Sequence, residues 1–273
     1  MNKLSSFALC SVLAATALSS FSGVAAPVSE VVKSDIRSAS NKARDEFRNP
    51  QQTLNFLGIK DTMTVVEIWP GGGWYSEILA PMLADKGTFY AAHFPSGTDV
   101  EYFNKHLPKY QAKIANTKGM EKTKLTGFHP KHATDMAPAG SVDAVLTFRN
   151  LHNFYMNGDE ALKIALASSF KALKPGGIFG VVDHRLPEEL DAEKNRNSGY
   201  IKQSVVIKMA EEAGFKFVAE SSVNANPLDN GQHEKGVWSL SPTFALGEKD
   251  RAKYQTLGES DRMTLKFVKP STM

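Results

Sequence analysis

The chain has almost no sulfur-pairing chemistry: its single cysteine, Cys10, lies in the first few residues of 273. A disulfide framework and a thiol-based mechanism are therefore excluded. Nor is there an excess of one charge. The formal net charge is +3 and the lysines are scattered, so no electrostatic footprint for nucleic acid is present. The run Lys118–Lys124 is interrupted by Glu121 and reads as a solvated face. No internal repeat, low-complexity tract, Gly-x-Ser-x-Gly elbow or P-loop occurs, which removes the common hydrolase and phosphotransferase readings. The seven histidines are dispersed, and the close pair His129 and His132 has no carboxylate cluster at ligand spacing, so no metal site is expected.

What is present begins with a short positive start at Lys3, an apolar run from Phe7 to Leu18 and small residues at Gly23–Ala26. This is the pattern of a secretory signal peptide over residues 1–26, with cleavage after Ala25 or Ala26 and a periplasmic or secreted product. The apolar run is too short and too serine-rich for a membrane span, so no stable insertion is expected after cleavage. Its removal lowers the formal charge from +3 to +2, because Lys3 is its one charged residue, and leaves no cysteine.

The most informative stretch is Thr64 to Leu79, TVVEIWPGGGWYSEIL: a short apolar strand, the acidic Glu67, the cluster Gly71, Gly72 and Gly73, then an amphipathic helix. Glycines at such a turn let backbone amides approach a ligand that any Cβ would push away. A flexible turn without a ligand is the competing reading. Strands are predicted at Thr88–His93, Lys124–Phe128, Val142–Phe148, Gly177–Val182, Phe215–Ser222 and Met263–Lys269. Helices are predicted near Tyr102–Ile114, Gly158–Leu173 and Tyr200–Ala213, with one or two more over residues 27–60. This alternation predicts an α/β fold with a parallel sheet covered on both faces and ligands at the carboxyl ends of its strands. Residues 27–273 read as a single domain. Residues 224–262, rich in Pro, Gly and Asn, form either a cap or an insertion.

From about Arg48 to Pro270 the motif series resembles the class I S-adenosylmethionine-dependent methyltransferases. Glu67–Gly73 looks like their acidic and glycine-rich first motif, Gly87–His93 like the second strand, Thr134–Met136 like the adenine loop and Asp143–Asn153 like the fourth strand and its extension. The turn Leu173-Lys-Pro-Gly-Gly177 is the most specific match. The resemblance implies a Rossmann-like, doubly wound, mostly parallel seven-stranded sheet with an antiparallel C-terminal edge strand, and S-adenosyl-L-methionine as cofactor. It further implies that Glu67, Gly71, Gly72 and Gly73 bind the methionine and sugar region, His93 the ribose, Asp135 and Met136 the adenine, with Asn150 in the same site. Two positions depart from the pattern: Trp69 replaces the first motif glycine, and His93 stands where an acidic residue usually holds the ribose. Bland readings compete at single residues: Asp135 as a turn cap, Met136 as core filler, His93 as a satisfied strand-end histidine.

Methyl transfer needs few catalytic groups, because the sulfonium is already an activated leaving group. His152 suits a general base, with Arg149 beside it after the fourth strand and Asp183 at the end of the fifth. The alternatives are a helix-capping histidine and an ion pair between Asp183 and Arg185. The expected activity is methyl transfer to a small-molecule acceptor; the alternative is a ligand-binding module that keeps the fold without turnover. A dinucleotide oxidoreductase is disfavoured, since Ser76 occupies the third fingerprint position counted from Gly71. Nothing in the sequence sets the oligomeric state.

Overall fold

The computed structural model describes residues 28–271, so the segment read as a signal peptide lies outside the described residues. Four short helices come first: α1 (Val28–Lys33), α2 (Ala39–Lys42), α3 (Asp45–Arg48) and α4 (Pro50–Leu57). Alternation then sets in, with β1 (Thr64–Ile68), α5 (Ser76–Leu83), β2 (Thr88–His93), α6 (Glu101–Asn116), β3 (Lys124–Gly127) and β4 (Val142–Phe148). It continues through α7 (Leu151–Met156), α8 (Asp159–Ala172), β5 (Leu173–Leu186), the two-residue β6 (Ile201–Lys202), α9 (Gln203–Glu212) and β7 (Lys216–Ser221). After a 3-10 turn at Gly236–Ser239 come α10 (Arg251–Leu257) and β8 (Arg262–Val268).

The strands lie in the order β3-β2-β1-β4-β5-β8-β7, with β6 pairing only with the far end of β5. From β3 to β5 all pairings are parallel. β8 runs antiparallel to both β5 and β7, so the antiparallel strand sits one place in from the edge and β7 forms the margin. Burial explains the placement: β8 is apolar and covered along most of its length, whereas β7 alternates between exposed and half-buried residues.

The central strands are apolar on both faces because helices cover both. On one side Val66, Val145, Phe179 and Val181 pack with residues of α7, α8 and α9, including Phe154, Leu166 and Val206. On the other, Val65, Ala144, Leu146 and Val182 pack with residues of α1, α4, α5 and α6, including Val31, Leu54, Ile78 and Tyr110. Alternate residues of one strand thus enter opposite cores, as the two-residue repeat of a strand requires. Among the described residues no helix is long and apolar enough to cross a membrane.

Residues 224–262 close over the carboxyl end of the sheet. Asp229 anchors them: its carboxylate accepts from the Tyr200 hydroxyl at 2.9 Å and from the Gly231 and Asp261 amides, and it meets His233 Nε2 at 2.7 Å. Burial pushes the Asp229 carboxyl up, but His233 and these donors hold it below its usual range. A small apolar cluster of Leu186, Tyr200, Val237, Leu240 and Tyr254 joins this segment to the end of β5.

Candidate active site

A cavity of about 740 Å³ opens at the carboxyl ends of β1, β2, β4 and β5. The turn after β1 contributes Trp69, Gly71, Gly72 and Trp74; the segment after β2 contributes Phe94, Tyr102 and Phe103. Arg149, Asn150, His152 and Asn153 come from the turn after β4, His184 from β5 and Trp238 from the covering segment. Arg44, just before α3, and Arg48 at its end complete the wall.

Trp69 explains how this glycine turn tolerates a bulky residue. Its φ is +46°, the left-handed region in which a glycine normally sits, so Trp69 keeps the backbone shape while carrying a ring. Such strain costs about 1–2 kcal/mol. Its indole Nε1 donates to the Phe128 carbonyl at 2.8 Å, and the ring packs against Phe94, Phe154 and Phe103 with centroids 5.1, 4.5 and 6.0 Å away. Packing of this size offsets the strain. The indole thereby forms a side wall, and the cavity beside it stays open.

The three motif glycines divide into two kinds. A Cβ on Gly71 or Gly72 would meet nothing within 4 Å, so both present bare backbone to open space in the cavity. Gly73 has φ +78° and a Cβ there would stand 3.0–3.1 Å from Lys113 and Tyr110, so it serves packing and does not line the cavity. Gly73, expected at the cofactor, has this packing role in the structure.

Four other residues expected at the cofactor make contacts within the protein. Glu67 is buried, and its Oε2 accepts from Ser76 at 2.7 Å, which in turn accepts from the Tyr110 hydroxyl at 2.8 Å. Burial raises the Glu67 carboxyl to about 8, only partly opposed by Ser76, so it is mostly neutral at pH 7. His93 is fully buried; its Nδ1 accepts from the Phe94 amide at 2.8 Å, which places the proton on Nε2, 3.1 Å from the Gly71 carbonyl. Burial lowers it to about 4, so the neutral ring ties β2 to the glycine turn and has no free atom for a ribose. Asp135 has a side chain 66% exposed, paired at 2.6 Å with Lys171 and away from the cavity. Met136 is buried in the core with Phe128 and Phe154.

Asn150 lines the cavity, yet its side-chain amide donates to the carbonyls of Ile68, Trp69 and Phe148 at 3.0–3.2 Å. It clamps the ends of β1 and β4 together. Just before it, Arg149 takes a left-handed φ of +61°, the second non-glycine residue of the cavity wall to do so.

The chemistry-bearing pair is His152 and Asp183. His152 Nδ1 lies 2.7 Å from Asp183 Oδ1, and Oδ2 accepts from the His152 amide at 3.2 Å. The carboxylate fixes the proton on Nδ1 and leaves Nε2, which has no partner among the described residues, as an acceptor. His184, whose amide donates to the same carboxylate, has its ring centroid 5.0 Å from that of His152, with Nδ1 2.5 Å from Ser260 Oγ. Burial, then the nearby His152 and Arg149, hold His184 well below its ordinary range and neutral. Arg185 pairs with Asp261 and takes no part. The fold also gathers ligand-type atoms of His152, Asp183 and His184 within 4.8 Å of one another, a grouping that linear spacing concealed.

Arg44, Arg48, Trp74 and Trp238 escaped sequence reasoning. Arg44 precedes and Arg48 ends the four-residue α3, and nothing local in the sequence shows that either side chain meets the site.

No protein-family model matches the sequence, and no curated protein matches it. Solved structures do. A SAM-dependent methyltransferase from Aquifex aeolicus aligns at 16% identity over 83% of this chain and 93% of that one, with a TM-score of 0.55. Phosphoethanolamine N-methyltransferase 2 from Haemonchus contortus, in complex with S-adenosyl-L-methionine, aligns at 13% identity over 82% of this chain and 53% of that one, with a TM-score of 0.56. The cyclase SpnF aligns at 15% identity over 88% of this chain and 86% of that one, with a TM-score of 0.57. The chain thus has the Rossmann-like α/β fold of SAM-dependent methyltransferases, a fold that other chemistry also uses.

Proposed function

We propose that the protein is an exported S-adenosylmethionine-dependent methyltransferase acting on a small molecule, with His152 as the base that takes the acceptor's proton. The observation that carries this reading is that His152, its Nδ1 committed to Asp183, shares one cavity with the open backbone of Gly71 and Gly72. These glycines fit such a cofactor, because the space that their Cβ atoms would fill is free for a ligand. The cofactor, when bound, would supply a methyl group on a sulfonium, with a neutral thioether as the leaving group, which needs no proton from the protein. Everything else falls to the chain. Gly71 and Gly72 position, the rings of Trp69, Phe94 and Phe103 exclude water from one wall, and Asp183 holds the His152 tautomer that accepts a proton. Export rests on the pattern of residues 1–26.

Titration calorimetry with S-adenosylhomocysteine checks the cofactor half: heat is expected, and its absence at about 1 mM ligand defeats the proposal. His152→Gln is expected to bind with the affinity of the natural protein while methyl transfer, followed by mass spectrometry, falls by about a hundredfold or more. A second reading, ligand binding without turnover, is favoured by the internal hydrogen bonding of Glu67 and His93. Binding without transfer to any acceptor supports it.

A further inference from the structure

Four guanidinium groups, three of them in the cavity wall, gather around Glu259, with Asp183 the second carboxylate acting on Arg149, so positive charge is in excess. Glu259 serves three of them: it accepts from Arg44 Nε at 2.6 Å, Arg48 Nε at 3.3 Å and Arg262 Nη2 at 2.5 Å. Burial pushes the Glu259 carboxyl up, but Arg262, Arg48 and Arg44 together keep it below its usual range and ionised. The fourth group, Arg149, makes no side-chain hydrogen bond or ion pair among the described residues, although it lines the cavity. Arg48 is only 4% exposed, lies 4.7 Å from the Trp74 ring centroid and has a buried Nη2 with no hydrogen-bond partner.

Burial lowers the Arg149 guanidinium to about 10; repulsion from Arg262 and Arg44 adds to this, and attraction to Glu259 and Asp183 opposes it. It remains charged at neutral pH. Like charges in excess of the carboxylates beside them destabilise the folded protein unless an anion joins them, and planar guanidinium forks match the oxygens of a carboxylate or phosphate. The same field disfavours a metal cation at His152, Asp183 and His184, where Asp183 is already engaged by His152 and the His184 amide.

We infer that Arg44, Arg48 and Arg149 form an oxyanion subsite that holds a carboxylate or phosphate group of the acceptor, an inference that rests on the methyl-transfer reading of the same cavity. Position favours the acceptor as the source of the anion. Arg149 and His152 stand on one turn after β4, three residues apart, and both face the cavity, so the group whose proton His152 takes lies beside the guanidinium.

Calorimetry on the full protein at pH 7.5 and fixed ionic strength tests this with three probes: inorganic phosphate, S-adenosylhomocysteine, and 5′-methylthioadenosine, which has the nucleoside but no carboxylate. Phosphate is expected to bind the natural protein both alone and with either nucleoside present. Arg149→Met is expected to weaken phosphate about tenfold or more while leaving 5′-methylthioadenosine unchanged, and Arg149→Lys to fall between. Should Arg149→Met fail to fold, Arg44→Gln, at a side chain 23% exposed, carries the same expectation. No phosphate binding by the natural protein, or equal binding by natural and variant proteins, overturns the subsite. Displacement of phosphate by S-adenosylhomocysteine but not by 5′-methylthioadenosine assigns the arginines to the cofactor's own carboxylate and overturns the acceptor assignment. Phosphate binding lost in the variant, with no nucleoside binding at all, supports an anion site at these arginines and overturns the methyl-transfer reading together with the acceptor assignment that rests on it.

Discussion

Replacing Glu67 by Gln makes the pH dependence of folding a direct readout of the buried acid at the first motif. The carboxyl sits in the folded protein with its value raised by burial from 4.5 to about 8, held through Ser76 by the Tyr110 hydroxyl. The folded state therefore keeps a proton that the unfolded chain releases. Stability from this group is greatest below pH 4.5, falls as pH rises toward 8, and changes little beyond. At about 1.36 kcal/mol per unit the full span amounts to about 5 kcal/mol, of which about 3 kcal/mol develops between pH 5 and pH 7.5. That is a large share of the roughly 5–15 kcal/mol that holds a typical domain together. Gln has the same shape, still accepts from Ser76 and does not titrate. Urea unfolding of both proteins at pH 5 and pH 7.5 gives the double difference, in which all other titrating groups and any constant packing offset cancel. The variant is expected to gain about 3 kcal/mol on the natural protein over that interval. A difference that stays flat, or one that shrinks as pH rises, would refute the claim that Glu67 is buried and neutral.

Three further variants separate ligand-facing residues from structural ones. Gly72→Val places a side chain in open cavity space and is expected to abolish S-adenosylhomocysteine binding while leaving Tm nearly unchanged; Gly73→Ala, at φ +78° against Tyr110 and Lys113, is expected to lower stability by about 1–3 kcal/mol in urea unfolding. Asp135→Ala, which the family pattern alone marks as a loss of adenine affinity, is expected to leave binding by calorimetry unchanged, because that carboxylate forms only an exposed pair with Lys171.

The α/β class and most of its elements were legible in the linear pattern. The strand Thr64–Ile68 and its glycine turn, the apolar Val142–Phe148 and the Lys-Pro-Gly-Gly stretch are local patterns: a two-residue alternation with both faces apolar, then a break. Such patterns survive in one dimension because they reflect the backbone's own periodicity. The helix α7 and the insertion of β8 between β5 and β7 were not legible, since six residues carry little helical period and strand order depends on contacts between distant segments. At the site, sequence position gave His152 and Asp183 at the carboxyl ends of their strands, and Gly71 and Gly72 in their turn, because topology alone sends those positions to the cavity mouth. It did not give the direction of individual side chains. Glu67 and His93 turn inward because burial leaves each a hydrogen-bond partner within the protein, and Asp135 turns to solvent because Lys171 stands there. Arg44, Arg48 and Arg149 meet only because the N-terminal helices fold back over the end of β4, bringing residues about a hundred positions apart to one wall, which nothing short of the tertiary structure could decide.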